Sequence, residues 1–299
     1  MILITGAAGK TGKALLRILS EQGKAVKALV FRSEQIRQAE ALGAKEVVVG
    51  DMRDSDFVQT VMQDVHSVYH ICPNIHPEEI SIGQIVIDAA ALVGITHFVY
   101  HSVLHPQIEA MPHHWKKMRV EERLSESGLP FTILQPAVYM QNILSQWKEI
   151  LETGRYVVPY SVESRISMVD LEDVALAASN ILGDDVAEGR QSPHCGATYE
   201  LVGTQAMSHK EVAMILSQQL NRPVDAESVS IDTWEREVRS SGLSNYQVKT
   251  LVKMFEYYEK FGFVGNTNVL NWLLNRPTTN FGEFIRRVAK ERLDSVLLN

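Results

Sequence analysis

The sequence is short of several things, and each shortage narrows what the chain is. There are two cysteines, Cys72 and Cys195, far apart and in no metal or redox spacing, so a disulfide scaffold is excluded and reduced thiols are expected. No apolar stretch is long enough to span a bilayer. Lys and Arg total 29 against 36 Asp and Glu, a formal charge of −7, and no basic cluster offers a footing on phosphate. Neither nucleic acid nor a membrane surface is therefore an expected partner. A strand starting at Met1 leaves no room for a charged segment followed by an apolar one, so the expected location is the cytoplasm. The G-x-S-x-G elbow of a Ser-His-Asp hydrolase is missing. His101, His105, His113 and His114 crowd one stretch, but no Cys or carboxylate spacing completes a metal set, and no metal is expected.

What is present is a chain of 299 residues, 45% of them hydrophobic, enough for a full core in one or two domains. From Met1 to about Leu134 short β-rich runs alternate with longer helical patterns, the mark of βαβ units around a parallel sheet. Six strands are predicted: "MILIT" (1–5), "AVKALVF" (25–31), "EVVVG" (46–50), "SVYHIC" (67–72), "HFVYHS" (97–102) and "FTIL" (131–134). Between the first two, Ala14, Leu15, Ile18 and Leu19 recur at helical spacing and Gly23 ends the pattern. After Pro136 helices dominate, with scattered strand candidates such as "TYELVG" (198–203). "SHKE" (208–211) fits a capping box opening a helix to about Leu220, and Phe281, Phe284, Ile285 and Val288 share one face of a C-terminal helix. Two domains are expected, 1–153 and a smaller lobe 154–299, with the segments at about 166–200 returning to the first.

The glycines of "TGAAGKTG" stand where the first strand meets the first helix. Glycine there permits a tight turn, close approach of backbone to a pyrophosphate, and close packing of helix on strand, while helix-terminal amides favour the phosphate charge. The spacing is Gly6-x-x-Gly9-x-x-Gly12, and the loop Gly6, Ala8, Gly9, Lys10, Thr11 and Gly12 is predicted to bind a dinucleotide. The second strand ends in "FRS". A carboxylate there would suit the ribose hydroxyls of NAD, whereas the fork of Arg32 suits a 2′-phosphate, with Lys10 adding a second positive charge; the expected cofactor is NADP(H). Past the third strand, Asp51 can meet the adenine amine and Met52 can lie on its face; Asp51 can also be the N-cap of the next helix. Pro73 and Asn74 follow the fourth strand, where the chain crosses the carboxyl edge of the sheet, and are predicted to line the cofactor trough.

Together "TGAAGKTG", "FRS", "GDMRD", "HHWKKMRVEERLSESGLPFTILQPAVYMQN" (113–142) and "ISMVDLEDVA" (166–175) resemble the NmrA-like group of NADP-binding proteins within the atypical short-chain dehydrogenase/reductase superfamily. The resemblance implies a doubly wound Rossmann sheet of order 3-2-1-4-5-6 with a smaller, mostly helical C-terminal lobe. It also implies an active-site Tyr-x-x-x-Lys pair, which here reads His113 and Lys117, with Ser102 at the end of the fifth strand as the accompanying serine. The tyrosine is absent. Lys117 is expected to donate to the nicotinamide ribose, oriented by Glu121 one turn on. His113 is a proton-donor candidate because imidazole titrates near neutrality, although His113 and His114 can equally be exposed on a first helical turn. Pro136 and Tyr139 flank the end of the sixth strand; Tyr139 can offer a phenol to the site or be a packed aromatic. Asp170 and Asp173 are read as carboxylates at a helix start. Trp234, Tyr246, Phe255, Tyr257 and Tyr258 can line an aromatic pocket or belong to the core.

Two functions from different classes fit. One is an NADP(H)-dependent oxidoreductase passing hydride to a small apolar acceptor, a quinone or another conjugated carbonyl compound, for which the lost tyrosine matters least. The other is a non-catalytic NADP(H) sensor acting through a protein partner; a homodimer is also compatible. A sugar-nucleotide epimerase is disfavoured, because that chemistry leans on the tyrosine.

Overall fold

A computed structural model describes residues 1–183, 192–239 and 241–297, with side chains through residue 291. The first eleven elements alternate as the sequence predicts: β1 (Ile2–Ile4), α1 (Lys10–Glu21), β2 (Val26–Val30), α2 (Ile36–Ala41), β3 (Glu46–Val49), α3 (Ser55–Val61), β4 (Ser67–His70), α4 (Glu79–Val93), β5 (His97–His101), α5 (Pro112–Ser125) and β6 (Phe131–Pro136). They are followed by β7 (Val138–Tyr139), α6 (Trp147–Thr153), β8 (Arg155–Val158), β9 (Arg165–Ile166), β10 (Met168–Val169), α7 (Leu171–Gly183) and β11 (Ala197–Leu201). The chain ends with β12 (Met207–Ser208), α8 (His209–Leu220), β13 (Asp225–Ser228), α9 (Ile231–Val238), α10 (Asn245–Phe261), α11 (Asn268–Leu274) and α12 (Phe281–Leu297). Two compact units result, Met1–Pro136 with Val174–Glu200, and Ala137–Asp173 with Leu201–Asn299.

The first unit is built on one sheet of order β11-β6-β5-β4-β1-β2-β3. The six strands from β1 to β6 pair parallel throughout, giving the doubly wound order 3-2-1-4-5-6. Every residue of β1, β2, β4 and β5 is buried, as expected of strands covered by helices on both faces. Leu3, Val68, Phe98 and Ile133 from the sheet pack with Val58, Ile82, Val86, Val120 and Leu124 from α3, α4 and α5. The "TYELVG" run becomes β11 and extends this sheet at the β6 edge. Strand order reverses between β1 and β4, and such a switch point opens a crevice outside the carboxyl ends of the strands.

The second unit is helical with three two-stranded pairings, β7 with β10, β8 with β13, and β9 with β12. Its core joins Trp147, Ile150 and Tyr156 to Leu216 of α8 and to Phe281, Phe284, Ile285 and Val288 of α12. The capping box is present: Ser208 Oγ accepts from Glu211 N at 3.2 Å, and Glu211 Oε2 accepts from Ser208 N at 2.7 Å. Ser208→Ala should cost about 1 kcal/mol in urea unfolding; no measurable loss would assign the start of α8 to packing alone. Asp170 and Asp173 do more than face a helix dipole. Asp170 accepts from Arg287 and Gln141, each at 2.6 Å, and Asp173 from Arg276 at 2.6 Å and Thr279 N at 2.7 Å. Both carboxylates are buried, so these ion pairs tie the C-terminal segments to the start of α7. The five aromatics expected as pocket or core fall in this unit, where Trp234 meets Phe255 edge-on at 4.7 Å and Phe255 adjoins Tyr160. Among the described residues, no helix is long and apolar enough to cross a membrane.

Candidate functional site

The glycine loop leads straight off β1. Gly6 has φ +60, and a Cβ there would stand 2.9 Å from the Ile71 carbonyl oxygen. Gly12 is more tightly placed: its Cβ would lie 2.5 Å from Gly6 O and 2.7 Å from Ala7 Cα. The turn is closed by Gly9 N donating to Gly6 O at 2.9 Å. Helix α1 then begins after Gly9, which brings no side chain to cap its first turn. A surface of backbone amides on the positive end of a helix is the result, with Thr11 buried, Ala8 half-buried, and Gly9 and Lys10 exposed beside it. Arg32, just beyond β2, is exposed and makes no ion pair among the described residues.

Asp51 departs from one of its two expected roles. The N-cap of α3 is Asp54, whose Oδ1 accepts from Phe57 N at 3.0 Å, because the helix starts at Ser55, too far along for Asp51 to reach. Asp51 instead holds Arg53 through Nε at 3.0 Å and Nη2 at 2.6 Å, and that pairing keeps its carboxyl below the ordinary range. Arg53 continues to Glu78 at 3.2 Å, linking the segments that follow β3 and β4. Met52 packs on the edge of the core, and Pro73 and Asn74 are exposed after β4.

At the carboxyl ends of β4 and β5 lies a polar cluster that sequence reasoning resolved only in part. Lys117 donates to Glu79 Oε1 at 2.8 Å and to the His101 carbonyl at 3.3 Å, and its Nζ sits 5.4 Å from the Tyr100 ring centroid. Its acidic partner is thus Glu79 of α4, not Glu121. Glu121 is buried and turned to neutral groups, accepting a very short bond from Ser102 Oγ and two at 3.0 Å from Gln135 Nε2; burial raises its carboxyl. Ser102, expected as the serine of an active-site set, is buried and spends its hydroxyl on Glu121. Burial tends to push the Glu79 carboxyl up as well, but the charge and hydrogen bond of Lys117 outweigh it and leave the group below its ordinary value. Tyr100 donates to the same Glu79 oxygen at 3.1 Å. A signal for Glu79 exists in the sequence: it shares the helical face of Ile82, Gly83, Val86 and Ile87, all buried, so the α4 stripe carries it inward.

The two histidines at the start of α5 are not a solvated turn. His114 is buried, and the half-buried His113 ring meets it edge-on at 4.4 Å. Nδ1 of His113 is buried with no hydrogen-bond partner among the described residues. Burial, aided by the nearby Lys117 charge, lowers its pKa to about 4. An imidazole so placed is neutral at pH 7 and is a poor source of protons, against the expectation drawn from its ordinary value. Pro136 is buried at the end of β6, its carbonyl accepting from Leu104 N at 2.9 Å. Tyr139 belongs to the second unit, half-buried in β7 beside β10.

Known proteins are similar to this chain over most of its length. The NAD(P)H azoreductase of Xenophilus azovorans is 26% identical over 291 residues, covering 97% of this chain and 98% of that protein. The NADPH-dependent quinone oxidoreductase of Escherichia coli, solved in complex with NADPH, has a TM-score of 0.82 at 24% identity, covering 96% and 99% of the two chains. NmrA, a negative transcriptional regulator solved in complex with NADP, has a TM-score of 0.79 at 18% identity, covering 98% and 97%. The two solved structures share the fold. The model of the NmrA-like family matches residues 1–285, and the chain belongs to that family.

Proposed function

We infer that the protein is an NADP(H)-dependent reductase acting on a small aromatic or conjugated acceptor such as a quinone. The residues present fit the cofactor. The Gly6 and Gly12 cradle would be filled by any side chain, the first turn of α1 carries no side-chain cap, and Arg32 is an exposed cation without an acidic partner among the described residues, suited to a 2′-phosphate. Lys117 would donate to ribose hydroxyls at the other end of the cofactor. NADPH supplies a hydride when bound.

The observation that carries the choice of acceptor is that the position one helical turn before a fixed Lys117 holds no tyrosine but His113, whose buried Nδ1 makes no hydrogen bond among the described residues and whose pKa burial lowers. A simple ketone needs a positioned general acid as its oxygen becomes an alkoxide; a quinone yields a far weaker base that water can protonate. The azoreductase and quinone oxidoreductase relatives handle acceptors of this kind by name. Purified protein with NADPH should therefore oxidise it when given quinones, enals or azo dyes, followed by nicotinamide absorbance. Failure against the whole panel would sink the reductase reading.

One feature favours a second reading, a redox sensor working through a protein partner: no side chain at the tyrosine position is a competent acid, and NmrA itself is a regulator. A sensor must bind the oxidised and reduced cofactor unequally, since a ligand pair of equal affinity shifts no equilibrium. Equal dissociation constants would exclude it.

A further inference from the structure

We propose that Glu79 is a positioning and charge-compensating residue for the nicotinamide end of the cofactor. It aims the Lys117 ammonium and cancels its charge, so that the cationic oxidised ring and the neutral reduced ring bind with similar affinity. This rests on the reading of Lys117 as a cofactor ligand.

An ammonium has three N–H bonds. Two of those on Lys117 are directed into the protein, to Glu79 Oε1 at 2.8 Å and the His101 carbonyl at 3.3 Å, which leaves one direction for a ligand. The Glu79 side chain cannot swing away, because Tyr100 donates to the same oxygen at 3.1 Å from a fully buried position and Glu79 itself is 3% exposed. Lys117 therefore works as an oriented donor to neutral hydroxyls.

The charge matters as much as the direction. The two cofactor forms differ by a hydride, and the positive charge of the oxidised ring is what that hydride removes. A lone ammonium nearby disfavours the oxidised ring and leaves the reduced one unaffected. A buried carboxylate 2.8 Å from the ammonium makes the pair neutral and removes the bias. Glu121 does not hold the ammonium in this way, since its oxygens are taken by Ser102 and Gln135 and its hydrogen bonds go to neutral groups.

The test is a pair of binding titrations without turnover, NADP⁺ and NADPH separately, on wild type, Glu79→Gln, Glu79→Asp and Lys117→Met, with thermal unfolding as the folding control. Glu79→Gln keeps an amide oxygen for Lys117 and Tyr100 but removes the charge. It should raise the ratio of the NADP⁺ to the NADPH dissociation constant about tenfold, which lifts the potential of the bound couple by about 30 mV. Glu79→Asp keeps the charge but draws it back, and should give a smaller shift of the same sign. Lys117→Met should weaken both forms alike, because the unpaired carboxylate takes up a proton and the site stays neutral. A folded Glu79→Gln with an unchanged ratio overturns the compensating role; if that variant does not fold, an unchanged ratio in Glu79→Asp does so. Lys117→Met with both affinities intact overturns instead the cofactor reading beneath it.

Discussion

Gly12→Ala is expected to destabilise the protein by about 2 kcal/mol in urea unfolding and to weaken NADPH binding at least about tenfold, although it adds a single methyl group to a helix. By propensity alone the change should help, since alanine in a helix is favoured over glycine by about 1 kcal/mol. The surroundings reverse the sign. A Cβ at residue 12 would meet Gly6 O at 2.5 Å, Ala7 Cα at 2.7 Å and Ala7 C at 2.9 Å. All three are backbone atoms, so no rotamer relieves the contact and α1 must move off the loop. Overpacking of that kind typically costs about 1–3 kcal/mol, more than the propensity gain. The loop that moves is the one assigned to the pyrophosphate, so binding falls with stability. Gly9→Ala serves as the comparison: its nearest atom is Gly6 O at 3.2 Å, and a few tenths of an ångström of relaxation relieves it. A Gly12→Ala protein of wild-type stability and affinity would show that α1 does not pack on the loop as described.

The sheet was legible because its inner strands β1, β2, β4 and β5 are fully buried and read as short β-rich runs at βαβ spacing; the six predicted runs contain the six observed strands, apart from the last two residues of β6. The glycine loop was legible because its steric demand admits one residue type. Side-chain partnerships were not. Lys117 and Glu121 are one turn apart on α5, and spacing alone pairs them, yet Gln135 and Ser102 claim Glu121 while Lys117 reaches across to α4. These choices are made by strand ends that come together only in the folded sheet. His113 and His114 read as a polar first turn. The loop before α5 decides otherwise: Met111 is fully buried, and the His105 carbonyl takes His114 Nδ1 at 3.3 Å. No periodicity announces such a loop. In β11 the strand propensity was visible but its partner was not, since joining the β6 edge depends on where α7 returns the chain.

Stability should fall steeply between about pH 6.5 and about pH 4, well before most carboxylates titrate. Five histidines are responsible, the buried His114 among them, which burial holds well below the ordinary imidazole value. Burial lowers His70, His113 and His209 to about 4 and His101 to about 3. His70 is held neutral between Thr5 Oγ1, 2.9 Å from its Nδ1, and the Tyr100 ring stacked at 5.8 Å; His101 shares a 2.8 Å hydrogen bond with Tyr69. In that pH window the unfolded chain takes up protons at these positions and the folded chain does not, so each step down in pH moves the equilibrium toward unfolding. By about pH 5 the deeply buried His70 and His101 each remove ~2 kcal/mol, which together is a large part of the 5–15 kcal/mol that an ordinary domain has. Glu79, kept below its ordinary value with Lys117 beside it, adds a further loss only as pH drops below about 4.5. Urea unfolding at steps from about pH 7.5 to about pH 5 should show this decline, and His101→Gln should flatten it by as much as one proton. A midpoint that stays level across the range would mean that these imidazoles titrate as they do in water and are not held neutral by the fold.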